Sequence, residues 1–305
     1  SALTGNDANT ATDCQATAPC RWFAGAISVV ASGGEIVAMD SGAYGTVTIT
    51  KSIAIIGAPG VYAGITVFSG HGITIATAGV NVVLRGLTIN NLGSTGSGIH
   101  MTAGNSLVVQ NCVVTNFGSG SGVYVAGTTQ ARLLDSLLQG NYSGAYFENG
   151  PSAMVSNSRF VANTLYGRYA AASGAGVKTE VEVSRSEASG NGSSGYEAYG
   201  AGSGRAQLNV KDSVASKNGG GVDAYSAGGV VLVSVTGSLM SANSYDGLSA
   251  LGSGAKLVAS GNTVTHNYVG LAQLSSGVLE SAGDNLVRDN ISDSTSGTIT
   301  TIGKI

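Results

Sequence analysis

"SGAYFENG", residues 143–150, decides the fold, because similar frames return as "SGVYVAG" at 121–127, "SGYEAYG" at 194–200 and "GGVDAYS" at 220–226. An Asn precedes each frame: Asn116, Asn141, Asn163, Asn191, Asn218, Asn243, Asn267 and Asn290, with Asn91 as an earlier member. Successive spacings are 25, 22, 28, 27, 25, 24 and 23 residues. Three residues before each Asn stands an apolar side chain, from Val113 and Leu138 to Val287. Five before stands Asn or Ser, from Asn111 and Ser136 to Asn285, and eight before stands Val, Leu or Ala. Three columns that agree over eight repeats define a structural unit.

Within a unit the pattern alternates with period two, as in "EVEVSRS" (180–186) and "KLVASGN" (256–262), which is strand periodicity. Helix-length apolar stripes are absent after residue 32. Each unit therefore holds two or three short strands and cannot bury its apolar side alone; stacked units share one core. A chain that climbs one strand spacing per turn, roughly 4.8 Å, pairs each strand in parallel with its counterparts above and below. The expected fold is all-β: a right-handed parallel β-helix, a solenoid of about 10 coils. A β-propeller needs blades of about 40 residues and fits badly. The Asn column is expected in a turn of left-handed backbone, which Asn tolerates, and the Ser/Asn column at a bend.

Composition agrees. The chain has 305 residues, with 48 Gly, 3 Pro, 43% hydrophobic and only 10% charged residues, so it has the apolar content for a core that disordered chains lack. No long apolar run suggests membrane insertion. A net charge of −3 without Lys/Arg clusters argues against nucleic acid. Cys14 and Cys20 are spaced for a short-range disulfide, which would favour an oxidising compartment; the plain alternative is two reduced thiols. No targeting peptide is read at the start of the sequence.

An open solenoid exposes an apolar cross-section and must be capped. Residues 19–32, "PCRWFAGAISVVAS", read as an amphipathic capping helix with Pro19 in its first turn and Phe23, Ala26, Ile27 and Val30 on one side. The expected organisation is one domain: residues 1–34 as N-terminal segment and capping helix, 35–290 as β-helix, and 291–305 as a C-terminal cap or tail.

The run "APCRWFAGAISVVASGGEIVAMDSGAYGTVTITKSIAIIG" (18–57) resembles the start of pectate-lyase-like β-helix proteins, with Gly42, Tyr44, Thr50, Lys51, Ser52, Ile53 and Gly57 matching, and the later coils resemble that superfamily's generic repeat. The resemblance implies the fold and an extracellular, cell-surface or periplasmic setting. It does not carry an activity, since the fold hosts lyases, hydrolases, epimerases, tailspikes and adhesins. Of the polygalacturonase motifs only Gly70-His71-Gly72 occurs, read as a turn; the epimerase Asp-Pro-His-Glu motif is missing. No cofactor or metal is expected: calcium is the ion the resemblance would allow, and no matching acidic run appears.

The residues after the recurring glycines hold the functional signal. First and third positions after Gly98, Gly122, Gly144, Gly167, Gly195, Gly221, Gly247 and Gly270 are mainly apolar and should point inward; Arg168 and Tyr196 disturb this set. The second position should face out: His100, Tyr124, Tyr146, Tyr169, Glu197, Asp223, Ser249, Ala272. Glu197 and Asp223, one coil apart, suggest a carboxyl pair at the spacing of a retaining glycosidase. His100, Tyr124, Tyr146, Tyr169, Arg168, Tyr199, Tyr225 and Asp246 are the expected substrate-binding residues, giving a sugar chain ring faces and polar groups. In a lyase, His100 or a Tyr would abstract a proton and Arg168 would neutralise a uronate. The leading reading is an exported protein that binds, and can cleave, an extracellular polysaccharide. The alternative is a non-enzymatic adhesin or structural appendage protein, monomeric or homotrimeric, whose stacked tyrosines only stabilise the sheet.

Overall fold

The computed structural model describes residues 1–12 and 14–303, so Asp13 and the last two residues of the expected C-terminal tail lie outside the described residues. It is a parallel β-solenoid of about 11 turns. Among the described residues 11 coils each contribute one strand to each of three sheets, and the short strand Thr300–Thr301 adds a twelfth to the first sheet. In the coil that carries "SGAYFENG", Gln130–Leu134 belongs to the first sheet, Leu137–Gln139 to the second and Ser143–Glu148 to the third. All three pair in parallel with the next coil. Val123, Ala145, Val222 and Leu248 point into the core, as alternation requires.

Two corners are held by stacked polar side chains. Between the first and second sheets, Ser136 Oγ accepts from Cys112 N at 3.1 Å, and the pattern continues through Ser158, Ser186, Ser213, Ser238, Asn262 and Asn285. Between the second and third, each buried Asn accepts a backbone N–H from the coil before and donates both to a carbonyl of that coil's strand and to the next Asn. Asn191 Oδ1 accepts from Asn163 N at 3.0 Å, while its Nδ2 donates to Phe160 O and Asn218 Oδ1 at 3.1 and 2.8 Å.

Here the structure corrects the expected role of Asn. The left-handed residue is the one before the ladder: Gly140, Ala162, Gly190, Lys217, Ala242, His266 and Asp289 all have positive φ, and the ladder residues do not. Asn116 is itself in that left-handed position, with φ 70°, and Phe117 fills the ladder slot above it, its N–H donating to Asn141 Oδ1. The first coil of the Asn column was therefore one residue out of step, and so were Val113 and Asn111: Val114 pairs with Leu138, and Cys112 stacks on Ser136.

The capping helix is shorter than expected: α1 spans Phe23–Val29. Pro19 lies outside it because its carbonyl accepts from Asn6 N, Trp22 is extended, and Phe23 N–H donates to Tyr44 O. The apolar side is as read: Phe23 and Ile27 are buried, Ala26 and Val30 pack on the core, and Phe23 stacks on Tyr44 at 4.8 Å. A Cys14–Cys20 disulfide ties the preceding segment to this cap. Cys112 is a buried free thiol.

Candidate functional site

The outward column exists in unbroken register: His100, Tyr124, Tyr146, Tyr169, Glu197, Asp223, Ser249 and Ala272 are successive partners on the third sheet. Tyr199 and Tyr225 form a second outward column beside it. Asp246 lies one coil past Asp223, at the strand start. The alignment needs the recurring glycines. A Cβ on Gly144 would meet Gly167 O at 2.4 Å and Phe160 Cδ1 at 2.8 Å, so close packing between coils, with no positive φ, dictates the residue.

One expected member is not in the face. Arg168 occupies the inward position between Ala145 and Tyr196 and is fully buried. Its placement follows strand parity, without any slip in register. The interior has room because the second sheet contributes only the small Ala188 and Ala215 near Gly167 and Gly195. Tyr196 is equally buried, packs edge-on to Phe160 at 6.4 Å and donates its hydroxyl to Val214 O. The three guanidinium nitrogens of Arg168 have no hydrogen-bond partner. Burial pulls its pKa down to about 9, against the charges of Tyr196 and Glu197, so it is cationic at neutral pH. It cannot touch a substrate on the outer face.

The aromatic members form a continuous run. His100 stacks on Tyr124 at 4.9 Å; Tyr124, Tyr146 and Tyr169 meet edge to face at 5.5 and 4.9 Å; Tyr169 stacks toward Tyr199 at 6.0 Å, and Tyr199 meets Tyr225 at 5.2 Å. Two rings that the sequence reading left out join it. His71 stacks on His100 at 3.8 Å, and Tyr166 on Tyr169 at 4.3 Å. His71 was hidden by its Gly-His-Gly turn; Tyr166 was signalled only by standing next to Gly167. Tyr124 Oη donates to Glu148 Oε2 at 2.6 Å. Burial, with nearby Glu148 or Glu197, pushes the phenols of Tyr124, Tyr146, Tyr166 and Tyr169 well above their usual pKa, so they are donors and poor bases. Burial lowers both His71 and His100, leaving neutral imidazoles.

The carboxyl groups are joined by a residue the sequence did not single out. Ser194 Oγ lies 2.8 Å from Glu197 Oε2 and also bonds Asp223 Oδ2, while Ser249 Oγ donates to Asp223 Oδ1 at 2.6 Å. The two carboxyl groups thus lie within roughly 5 Å, the length of two hydrogen bonds. A serine hydroxyl has one proton to donate, so one of the two acids must carry its own. Glu197 is that acid. It is 5% exposed, and burial followed by the charge of Asp223 raises it to about 8, despite Ser194 and Arg168 pulling the other way. Burial also raises Asp223, and burial plus Asp223 raise Asp246 to about 6. Like-charge neighbours in a half-dry setting share protons in this way. The arrangement offers a protonated acid beside a carboxylate, next to a row of rings.

The three sheets stacked in parallel define a β-solenoid, and the ring column with its acids is one outer face of it. The sequence profile described as "Right handed beta helix region" matches residues 71–236, more than half of the chain, and the chain belongs to that family. No curated protein sequence matches it. Among solved structures, pectate lyase Pel9A is similar with a TM-score of 0.57 at 15% identity, over 94% of this chain and 77% of that one. The periplasmic alginate epimerase AlgG is similar with a TM-score of 0.42 at 11% identity, over 89% of this chain and 84% of that one. At such identities the likeness is one of fold.

Proposed function

We propose that the protein binds an extracellular polysaccharide along the outer column of the third sheet, with the chain parallel to the solenoid axis. The observation that carries this reading is the unbroken run of rings from His71 to Tyr225 ending at the Glu197–Ser194–Asp223 cluster. Each coil rises by roughly 4.8 Å, comparable to one pyranose ring, so successive sugars meet successive side chains. The ring column gives sugar C–H groups an apolar surface, and the carboxyl groups accept from hydroxyls. A structural neighbour, pectate lyase Pel9A, is named for polysaccharide chemistry, which fits the same class of ligand.

The carboxyl cluster supports cleavage as a second reading: neutral Glu197 would protonate a glycosidic oxygen while Asp223 acts as nucleophile or base. Lyase chemistry is the weaker option, because Arg168 is interior and cannot neutralise a uronate, although neutral His100 stands in the column as a base. Two clefts, of about 510 and 480 Å³, lie at the N-terminal cap and on the outer side of the first sheet, away from the column. The test is retention in gels cast with a panel of polysaccharides, together with assays for new reducing ends and for unsaturated uronates. Retention lost in Tyr146→Ala supports the reading. No retention on any polysaccharide, or retention unchanged by Tyr146→Ala and Glu197→Ala, rejects it; reducing ends lost in Glu197→Gln would establish the hydrolytic reading.

A further inference from the structure

The charge of the face narrows its ligand. The strands of the third sheet present the acids Glu148, Asp223 and Asp246 along or beside the ring column, while Glu197, which keeps its proton, adds no charge there. Among the described residues, Arg168 is the sole Lys or Arg in any strand of that sheet, and it is buried on the opposite side. The basic residues nearest to the cluster in sequence lie elsewhere: Arg205 begins a strand of the first sheet, and Lys217 stands in the turn between the second and third. Resting on the reading of this face as a polysaccharide site, we propose that its ligand is a neutral glycan, and that polyuronates are excluded by charge.

The physical argument has two parts. A polyuronate running along the axis would place about one carboxylate per coil, at the spacing of the protein's own acids. At such distances like charges repel substantially, and more so where the surroundings are half-dry. No exposed guanidinium or ammonium on the sheet offsets this, and the one buried cation has no free path to the ligand. A neutral glycan meets the opposite situation. Its hydroxyls are donors, and Asp223, Asp246 and Glu148 are acceptors with few donors of their own; the tyrosine rings accept its apolar faces regardless of charge. Low net charge in the ligand is thus matched to an acceptor-rich, cation-free surface. This separates the chain from what a fold comparison with a protein named for pectate would suggest.

The experiment compares matched polymers that share a backbone and differ in charge: methyl-esterified pectin against polygalacturonate, and hydroxyethyl cellulose against carboxymethyl cellulose, alongside a wider panel of neutral glycans. Affinity electrophoresis is run with chelator and again with calcium, since a divalent cation could bridge two carboxylates. In any pair that binds, the neutral member should be held at least about tenfold more tightly, and raising the salt should narrow the difference by screening the repulsion. Tyr146→Ala should weaken neutral binding about tenfold, showing that the ring column is responsible. Equal or tighter binding of the charged member, with or without calcium, overturns the neutral-ligand inference; if Tyr146→Ala abolishes that binding too, the polysaccharide reading of the face survives. Failure of every polymer, neutral and charged, overturns both.

Discussion

Two stacks of polar side chains run up the same solenoid, and they behave in opposite ways. The Asn ladder from Asn141 to Asn290 is a closed arrangement: each amide donates and accepts, so every coil satisfies its neighbours and no charge is buried. The outer column around Glu197 and Asp223 is open: acceptors outnumber donors, one serine serves two acids, and a proton must be retained to make up the difference. Identical stacking at one strand spacing therefore gives a structural strut in one place and a chemically unsatisfied surface in the other. The contrast identifies where function should be sought, because a group whose hydrogen-bonding is complete has nothing left to offer a ligand.

Breaking the closed stack should have the largest effect. Asn191→Ala removes the side-chain partner of Asn163 N, the amide donor to Phe160 O and one of the two acceptors of the Asn163 amide, which keeps Leu138 O, and should cost about 3 kcal/mol, from a desolvation penalty of ~1–3 kcal/mol per orphaned group. Urea unfolding followed by circular dichroism measures it; a loss under ~1 kcal/mol would mean the ladder contributes little. Arg168→Met should act in the reverse direction. Replacing a buried, unpartnered cation with an apolar side chain should leave stability unchanged or raise it by about 1–4 kcal/mol, while removing a positive charge that favours ionised Glu197 should shift that acid's titration upward. Destabilisation without any movement of the titration would show that Arg168 only fills space.

The open stack should make stability depend on pH. Glu197 is raised from 4.5 to about 8 in the fold, so the native state binds more protons than the unfolded chain between those values. The stability this group supplies is fully present below pH 4.5 and is lost as pH rises through about 8. Asp246, raised from 3.8 to about 6, adds a loss of the same sign at lower pH. While Glu197 alone titrates, the slope approaches about 1.4 kcal/mol per pH unit. Glu197→Gln should flatten it, checked by thermal unfolding across the pH range; a rise in stability from pH 5 to 8 would contradict the assignment. The smallest effect belongs to the corner beside the ladder. Ala242, at φ 56°, should be replaceable by Gly with a gain of about 0.5 kcal/mol, the left-handed strain relieved less the added freedom of the unfolded chain.

Much of this was legible in the sequence. The period, the parallel stacking of coils, the register of the outer column and the inward Ala145 and Phe147 follow from two-residue alternation repeated at a fixed interval, which leaves little freedom. What escaped was decided by matters that pattern does not encode. Asn116 aligns in sequence with the ladder asparagines yet holds the left-handed position expected for the whole column, because Asn suits both sites and residue type does not separate adjacent positions. Arg168 was taken for a surface residue because charge outweighed parity, although parity put it inside. Pro19 suggested a helix start that Asn6 and Tyr44 prevent by claiming the nearby backbone groups. Ser194 gave no signal, since its importance lies in standing between acids from two coils.

The most direct test is a crystal structure of the protein soaked with a neutral oligosaccharide that it retains in gels. Sugar density is expected along the outer column of the third sheet, parallel to the solenoid axis, against Tyr146 and Tyr169 and with hydroxyls on Asp223. Sugar seated instead in the first-sheet cleft beside Arg132 and Glu182, or in the N-terminal cleft beside Trp22, would rule out the column as the binding face.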